Sequence, residues 1–463
     1  MKKVLLSASC LLLFACCSAQ STAEKLKATY GQFEADSQIR HAISSLYVIN
    51  AKTGQVVFDK NSQVGLAGAS TQKIITAATA FELLGKDYRY KTEIGITEGK
   101  KRSLYIRSSG DPTFGSWRWQ STKDSSFFAR LRKVIMDSNI ERIDNVLLPY
   151  GKGYGEPVIP DGWIWQDLGN YYGAPAQGLN WRENQFDVIL RSEDKVGDTV
   201  TIVRTSPRLH AHALISNVTA APKGTGDNSY IYFPIDPELS SIKGIIRGTI
   251  PVSQSEFRIS GALASAQDEF GLLLLDSLQH VFKAGNRPMY FLVAEPSMPT
   301  RVLYYEYSPT LDSIVYWFLK RSINLYGEAI VKTFAYEKLG VASTDSGVEI
   351  IRKFWKEKGL DDNELNMYDG SGLSPQNRLT THAQVEVLKY AQTREWFPYF
   401  YDALPEFNGI KMKSGTISDV KGYCGYQTAQ DGNEYIFSFL VNNYNGRASE
   451  VISKMYKVLD CLK

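Results

Sequence analysis

The chain has 463 residues, long enough for two or three domains with ample cores. Its 43% hydrophobic and 22% charged residues describe an ordinary globular protein and exclude a disordered or collagen-like class. A net charge of +3, two of it from Lys2 and Lys3, is too small to mark a nucleic-acid partner.

Residues 1–19 read as a secretory signal. Lys2 and Lys3 form a positive start, Val4 to Ala15 an apolar stretch too short to span a bilayer, and Cys17-Ser18-Ala19 a small-x-small cleavage site. Leu13-Phe14-Ala15-Cys16 is the competing lipoprotein box, which the bulk of Phe14 disfavours. The expectation is an exported, periplasmic protein, since no later run reaches the ~18 apolar residues of a membrane helix. Of five cysteines only Cys424 and Cys461 lie beyond the leader, an even pair that an oxidising compartment could bridge, although spacing does not fix pairing. The histidines are scattered, and His210-Ala211-His212 reads as a solvated pair, so no metal is expected.

Ala23 to Ala35 has helical spacing, and Ser45 to Ile49 and Gln55 to Phe58 form a hairpin around Lys52-Thr53-Gly54. Gly68-Ala69-Ser70-Thr71-Gln72-Lys73 then leads into an almost wholly apolar run from Ile74 to Leu84, closed by Gly85, which predicts a buried helix. From about residue 90 short strands alternate with turns: Lys91–Ile96, Ser103–Ile106, Asn145–Leu148, Phe186–Leu190, Thr199–Ile202, Tyr230–Phe233 and Gly244–Thr249, with a helix from Ser126 to Ser138. Gln267 to Ala284 is helical and Tyr290 to Val293 a strand. Helices are predicted after Ser308-Pro309, through Ala329 to Phe334, over Val348 to Lys358 and over Thr381 to Thr393. Strands over Gly409–Thr416, Gly422–Gln427 and Tyr435–Asn442 precede a closing amphipathic helix, Ala448 to Leu462.

Ser70 and Lys73 are one turn apart and share a face, at a helix start whose N–H groups and dipole favour negative charge. An amine in apolar surroundings loses its proton readily and can serve as a base. The pattern Ser-x-x-Lys is weak by itself: it recurs at Ser192/Lys195, Ser240/Lys243 and Ser418/Lys421, without a following apolar helix. Two further motifs follow Ser70 in order. Ser322-Ile323-Asn324 offers a hydroxyl to relay a proton and an amide to orient a peptide. Lys413-Ser414-Gly415-Thr416, on a late strand, offers a cation and hydroxyls to a carboxylate, with glycine admitting a substrate backbone. An earlier copy, Lys52-Thr53-Gly54, sits in a hairpin turn, where glycine has a turn role.

This ordered set resembles the low-molecular-mass class C penicillin-binding proteins, which are D-alanyl-D-alanine carboxypeptidases and endopeptidases. The long gap between Ser70 and Ser322 is similar to theirs, as are Gly110-Asp111-Pro112-Thr113, Trp163 to Leu168, Tyr172-Gly173-Ala174 and Asp369 to Ser374. Departures are Gly68 for proline, Arg321 for lysine, Ser414 for threonine and Pro375 for arginine. The resemblance implies an α/β fold: a transpeptidase-like domain, residues 20–88 and 286–463, with a five-stranded antiparallel sheet between helices. Residues 89–285 would be a β-rich insert forming one or two extra domains.

It further implies that Ser70 attacks a D-Ala-D-X carbonyl in peptidoglycan peptides and Lys73 takes its proton. Ser322 passes a proton to the leaving amine, aided by Lys413, and Asn324 holds the substrate amide. Ser414, Gly415 and Thr416 bind substrate, β-lactams act as covalent inhibitors, and no cofactor is needed. A β-lactamase is the alternative enzyme, against which stand the long insert and the lack of an identifiable deacylating base. A non-catalytic wall-binding scaffold is opposed by the intact reactive groups.

Overall fold

A computed structural model describes residues 21–98, 101–149, 154, 158–211, 213–234, 242–279, 289–293 and 300–463. The leader, His212 and the expected helical residues 280–284 lie outside these.

The first and last parts of the chain build one antiparallel sheet. Its strand order is Glu406–Phe407, Ile410–Ile417, Val420–Thr428, Glu434–Asn442, Ile43–Asn50 and Val56–Lys60. It has six strands where five were expected; the extra one is a two-residue edge. Alternation along the strands sorts two cores. Leu46, Val48, Phe437, Phe439 and Tyr423 face the helices Thr22–Glu34 and Ala448–Leu459. Tyr47, Ile49, Ile436, Cys424 and Tyr426 face a larger helical layer. At the centre of that layer is Lys73–Leu83, buried at every residue from Lys73 to Phe81. Burying side chains such as Ile74, Ile75 and Phe81 contributes about 1.5–3 kcal/mol each, so this helix is fixed from all sides.

The same alternation separates the two cysteines. Cys424 points at the turn before the helix Lys73–Leu83, with Sγ 3.9 Å from Thr71 O, whereas Cys461 packs on the opposite face beside Thr29. Both are free thiols, and the expected bridge is not formed.

The insert holds a mixed sheet ordered Met289–Val293, Asn145–Pro149, Ser103–Ser108, Lys91–Thr97 and Thr300–Tyr307. Two three-stranded sheets follow, built from Gln185–Ser192, Thr201–Ser206 and Gln254–Ala262, and from Ala213–Ala221, Asn228–Tyr232 and Ile242–Pro251. All three feed one continuous core, knotted by Phe114, Phe127, Phe128, Trp181 and Phe270. The strands Met289–Val293 and Thr300–Tyr307 pair inside the insert, so the chain returns to the first domain at about Ser308, later than residue 286. That return is pinned where Ser308 Oγ accepts the Tyr90 N–H at 2.9 Å.

Candidate active site

Ala69–Gln72 forms a tight 3-10 turn that runs directly into the helix Lys73–Leu83. Ser70 thus precedes the helix by one turn, and Lys73 is its first residue. Ala69 is held at φ +46°, a region a non-glycine residue enters only where packing enforces it. The enforcing neighbour is the strand Ile410–Ile417: a Cβ on Gly415 would stand 2.4 Å from Gly68 O and 3.0 Å from the Ser70 nitrogen. Only glycine lets the strand lie this close to the serine turn.

Lys73 is completely buried. Its Nζ lies 2.8 Å from Ser70 Oγ, 2.7 Å from Asn324 Oδ1 and 2.6 Å from Ser371 O. As an ammonium it donates to all three. As an amine it keeps two N–H bonds for Asn324 and Ser371 and turns its lone pair to the Ser70 hydroxyl. Burial, then the charge of Lys413, holds its proton affinity well below the ordinary lysine range; Asp369 and Glu328 oppose this.

Ser322 lies between the helices Leu311–Lys320 and Asn324–Leu339, at φ +57°. Its Oγ accepts from Lys413 Nζ at 3.0 Å, and Lys413 also donates to Ser414 O at 2.8 Å. Burial pushes Lys413 down to about 7, with Lys421 adding to the depression. Asn324 is a bridge: its Oδ1 accepts from Lys73 while its Nδ2 donates to Tyr172 O of the insert at 2.7 Å. One N–H and one lone pair of its carboxamide remain for a substrate.

These groups border a cleft of about 620 Å³ between the first domain and the insert. Of the eight residues singled out from the sequence, Ser70, Ser322, Asn324 and Thr416 line it. Lys73 and Lys413 stand directly behind the two serines, and Gly415 forms the close approach. Ser414 shares a strand face with Thr416 but is not among the lining residues, and its carbonyl is engaged by Lys413.

Several residues had no site role in the sequence. Lys421, set aside as part of a weak motif copy, donates to Thr416 Oγ1 at 2.8 Å, and burial lowers it to about 8. Asp369 organises the turn behind Lys73, accepting from Gln72, Trp163, Asn377 and the N–H groups of Gly372 and Ser374. Glu328, one turn beyond Asn324, is buried against Gly370 N; burial and then Asp369 raise it to about 8. Glu183 of the insert accepts from Arg118, Ser116 and Tyr326, tying the insert to the Asn324 helix. The spacing Asn324-x-x-x-Glu328 was a readable signal for the buried acid; nothing local pointed to Glu183. Among the described residues no group of three or more His, Cys, Asp or Glu could hold a metal, and no helix is long and apolar enough to cross a membrane.

An antiparallel sheet between helical layers, with a serine on the turn before a buried helix and a lysine on each of two serines, defines a serine hydrolase of the penicillin-binding type. The chain belongs to the D-Ala-D-Ala carboxypeptidase 3 (S13) family, whose sequence profile matches residues 26–406. It is a serine-peptidase hydrolase of the low-molecular-mass class C penicillin-binding group. It is 23% identical to a D-alanyl-D-alanine carboxypeptidase of Actinomadura sp. (strain R39), over 89% of this chain and 80% of that protein. It is 21% identical to D-alanyl-D-alanine carboxypeptidase DacB of Haemophilus influenzae, over 86% and 84%. The fold is similar to crystal structures of penicillin binding protein 4 (dacB) from Haemophilus influenzae. One has TM-score 0.77 at 18% identity, covering 95% of this chain and 99% of that one. The other, complexed with a β-lactam, has TM-score 0.72 at 17% identity, covering 94% and 98%.

Proposed function

We propose that this peptidase cleaves D-Ala-D-X bonds of peptidoglycan peptides through an acyl-enzyme on Ser70. The observation that carries the reading is the pairing of two depressed buried lysines with two cleft serines, Lys73 with Ser70 and Lys413 with Ser322. Lys73, as the amine, takes the Ser70 proton while Oγ attacks the carbonyl. The backbone N–H groups of Ser70 and Thr416 receive the oxyanion, each donor contributing about 2.7–4 kcal/mol. Lys413 hands a proton through Ser322 to the leaving amine, and Asn324 orients the substrate amide with its remaining N–H. Water then releases the acyl group.

Thr416, backed by Lys421, takes the free carboxylate on the residue after the scissile bond. That carboxylate is the chain terminus in a D-Ala-D-Ala peptide and the D-centre α-carboxylate in a D-Ala–diaminopimelate cross-link. One pocket therefore serves carboxypeptidase and endopeptidase reactions. β-Lactams occupy the same cleft and stay bound to Ser70, as the β-lactam complex of the Haemophilus influenzae structure suggests. The leader-like composition of residues 1–19 and a peptidoglycan substrate support a periplasmic address. Intact-mass measurement after exposure to penicillin tests the reading: one adduct is expected, and none on Ser70→Ala. An adduct on the alanine variant overturns the assignment.

A further inference from the structure

Four charged residues line the cleft: Arg118, Asp167, Glu183 and Arg321. Arg118 and Glu183 neutralise each other through two bonds, Nε to Oε1 at 2.7 Å and Nη2 to Oε2 at 3.1 Å. Asp167 is half-buried beside the Tyr172 hydroxyl, and burial raises its proton affinity. Arg321 differs. It is exposed, its backbone N–H caps Trp317 O, and its guanidinium makes no ion pair with any described residue.

A cation at a helix C-terminus has a plain explanation, compensation of the dipole. Lys320 already serves that end and turns away, donating to Asp402 O and Leu404 O. Arg321 turns into the cleft and immediately precedes Ser322, whose backbone is fixed at φ +57°. Its planar fork suits a carboxylate, to which it can donate twice. Pro375, standing where the resembling family has arginine, lines the same cleft and supplies no charge there.

We propose that Arg321 is a specificity residue that pairs with a second substrate carboxylate, carried by the peptide on the N-terminal side of the scissile bond. This rests on the D-Ala-D-X reading above. The carboxylate of the leaving residue belongs to Thr416 and Lys421, and a carboxypeptidase leaving group has no other. The unmatched cation therefore faces the acyl donor. The ligand class is a peptide whose γ-linked glutamyl residue keeps a free α-carboxylate, as against one in which that group is a carboxamide.

The test compares γ-D-glutamyl-L-lysyl-D-alanyl-D-alanine with its glutamyl α-carboxamide, using the full-length enzyme. Two readouts are taken, kcat/KM for alanine release and the slowing of fluorescent-penicillin labelling by each peptide. The free acid is expected to be favoured about tenfold, the worth of one charge-assisted hydrogen bond. The preference should collapse in Arg321→Gln, return in part in Arg321→Lys and invert in Arg321→Glu. It should also shrink as salt rises, since the site is open to solvent. Equal treatment of acid and amide by the wild type, or an unchanged preference in Arg321→Gln and Arg321→Glu, overturns the proposal and leaves the peptidase reading standing. Failure of both peptides to be cleaved or to slow labelling overturns the peptidase reading and this proposal together. Labelling by penicillin reports separately whether each variant has kept its fold.

Discussion

Lys413 Nζ lies 3.0 Å from Ser322 Oγ, while Lys73 Nζ lies 2.8 Å from Ser70 Oγ. Each lysine serves one serine, so removing either should damage a different step. Lys73→Met is expected to slow penicillin acylation by about 10²- to 10⁴-fold, the worth of a positioned general base. The measurement is the second-order rate of fluorescent-penicillin labelling. A rate within about threefold of wild type, far short of the range for a lost base, would remove Lys73 from the base role.

Lys413 also couples stability to pH. Its ordinary value of 10.5 applies to the unfolded chain, and burial lowers it to about 7 in the fold. Between those values the unfolded state binds more protons, so stability rises with pH across the window. Below pH 7 both states are protonated and the full cost of the buried charge remains; above pH 10.5 neither is. Urea midpoints at pH 6 and pH 9 should therefore differ more for wild type than for Lys413→Met. Lys421 and Lys332, each lowered to about 8, act in the same direction and persist in the variant. Equal pH slopes for the two proteins would contradict the buried-charge account.

Much of the fold was legible because its signals are local. The mostly apolar run after Ser70, the alternating strands near the C-terminus and the amphipathic last helix each appear within two or three residues of expectation. The strand Thr300–Tyr307 was missed because it is an exposed edge whose identity comes from pairing with Lys91–Thr97, far away in sequence. The cysteine expectation failed for a related reason: proximity of strand and helix was readable, but the face Cys424 presents depends on register with Ser438. In the site, the serines and lysines were found by motif. Their partners arrive through tertiary contacts: Asp369 and Tyr172 lie in stretches marked by the family resemblance but without a role, and no short pattern records Glu183.

Gly415 offers a steric test of the serine turn. An added methyl would meet Gly68 O at 2.4 Å and the Thr71 nitrogen at 2.9 Å, both backbone atoms that cannot swing aside. The strand must then retreat from the turn and carry the Thr416 N–H away from the oxyanion position. Gly415→Ala should fold, with its sheet partners Gly422 and Tyr423 still paired across positions 415 and 414. It should lose about 10²-fold in acylation, the scale expected for a misplacement near 1 Å. Wild-type labelling with an unchanged thermal midpoint would mean that the close approach is not needed for reaction.

Two hydroxyls of Lys413-Ser414-Gly415-Thr416 could read the carboxylate after the scissile bond. Ser414 and Thr416, two residues apart, share one face of the strand, and their partners distinguish them. Thr416 lines the cleft and its Oγ1 is held by Lys421, whose Nζ lies 2.8 Å away, while Ser414 contributes only its carbonyl, to Lys413. A carboxylate on Thr416 would gain the hydroxyl and the nearby Lys421 charge together, a charge-assisted contact of about 1.5–3 kcal/mol. Converting the substrate C-terminus to an amide should lower kcat/KM by about 10- to 100-fold at ~1.4 kcal/mol per decade. Thr416→Val should remove most of that discrimination and Ser414→Ala little of it, which makes the serine in place of threonine at 414 a mild departure. Lys421→Met should weaken discrimination as well, and more at pH 7 than at pH 9, because the lysine carries its charge below about 8. The readout is the acid-to-amide ratio of hydrolysis rates for each variant. A ratio that falls with Ser414→Ala and survives Thr416→Val would move the carboxylate along the same face to Ser414 and reverse the assignment.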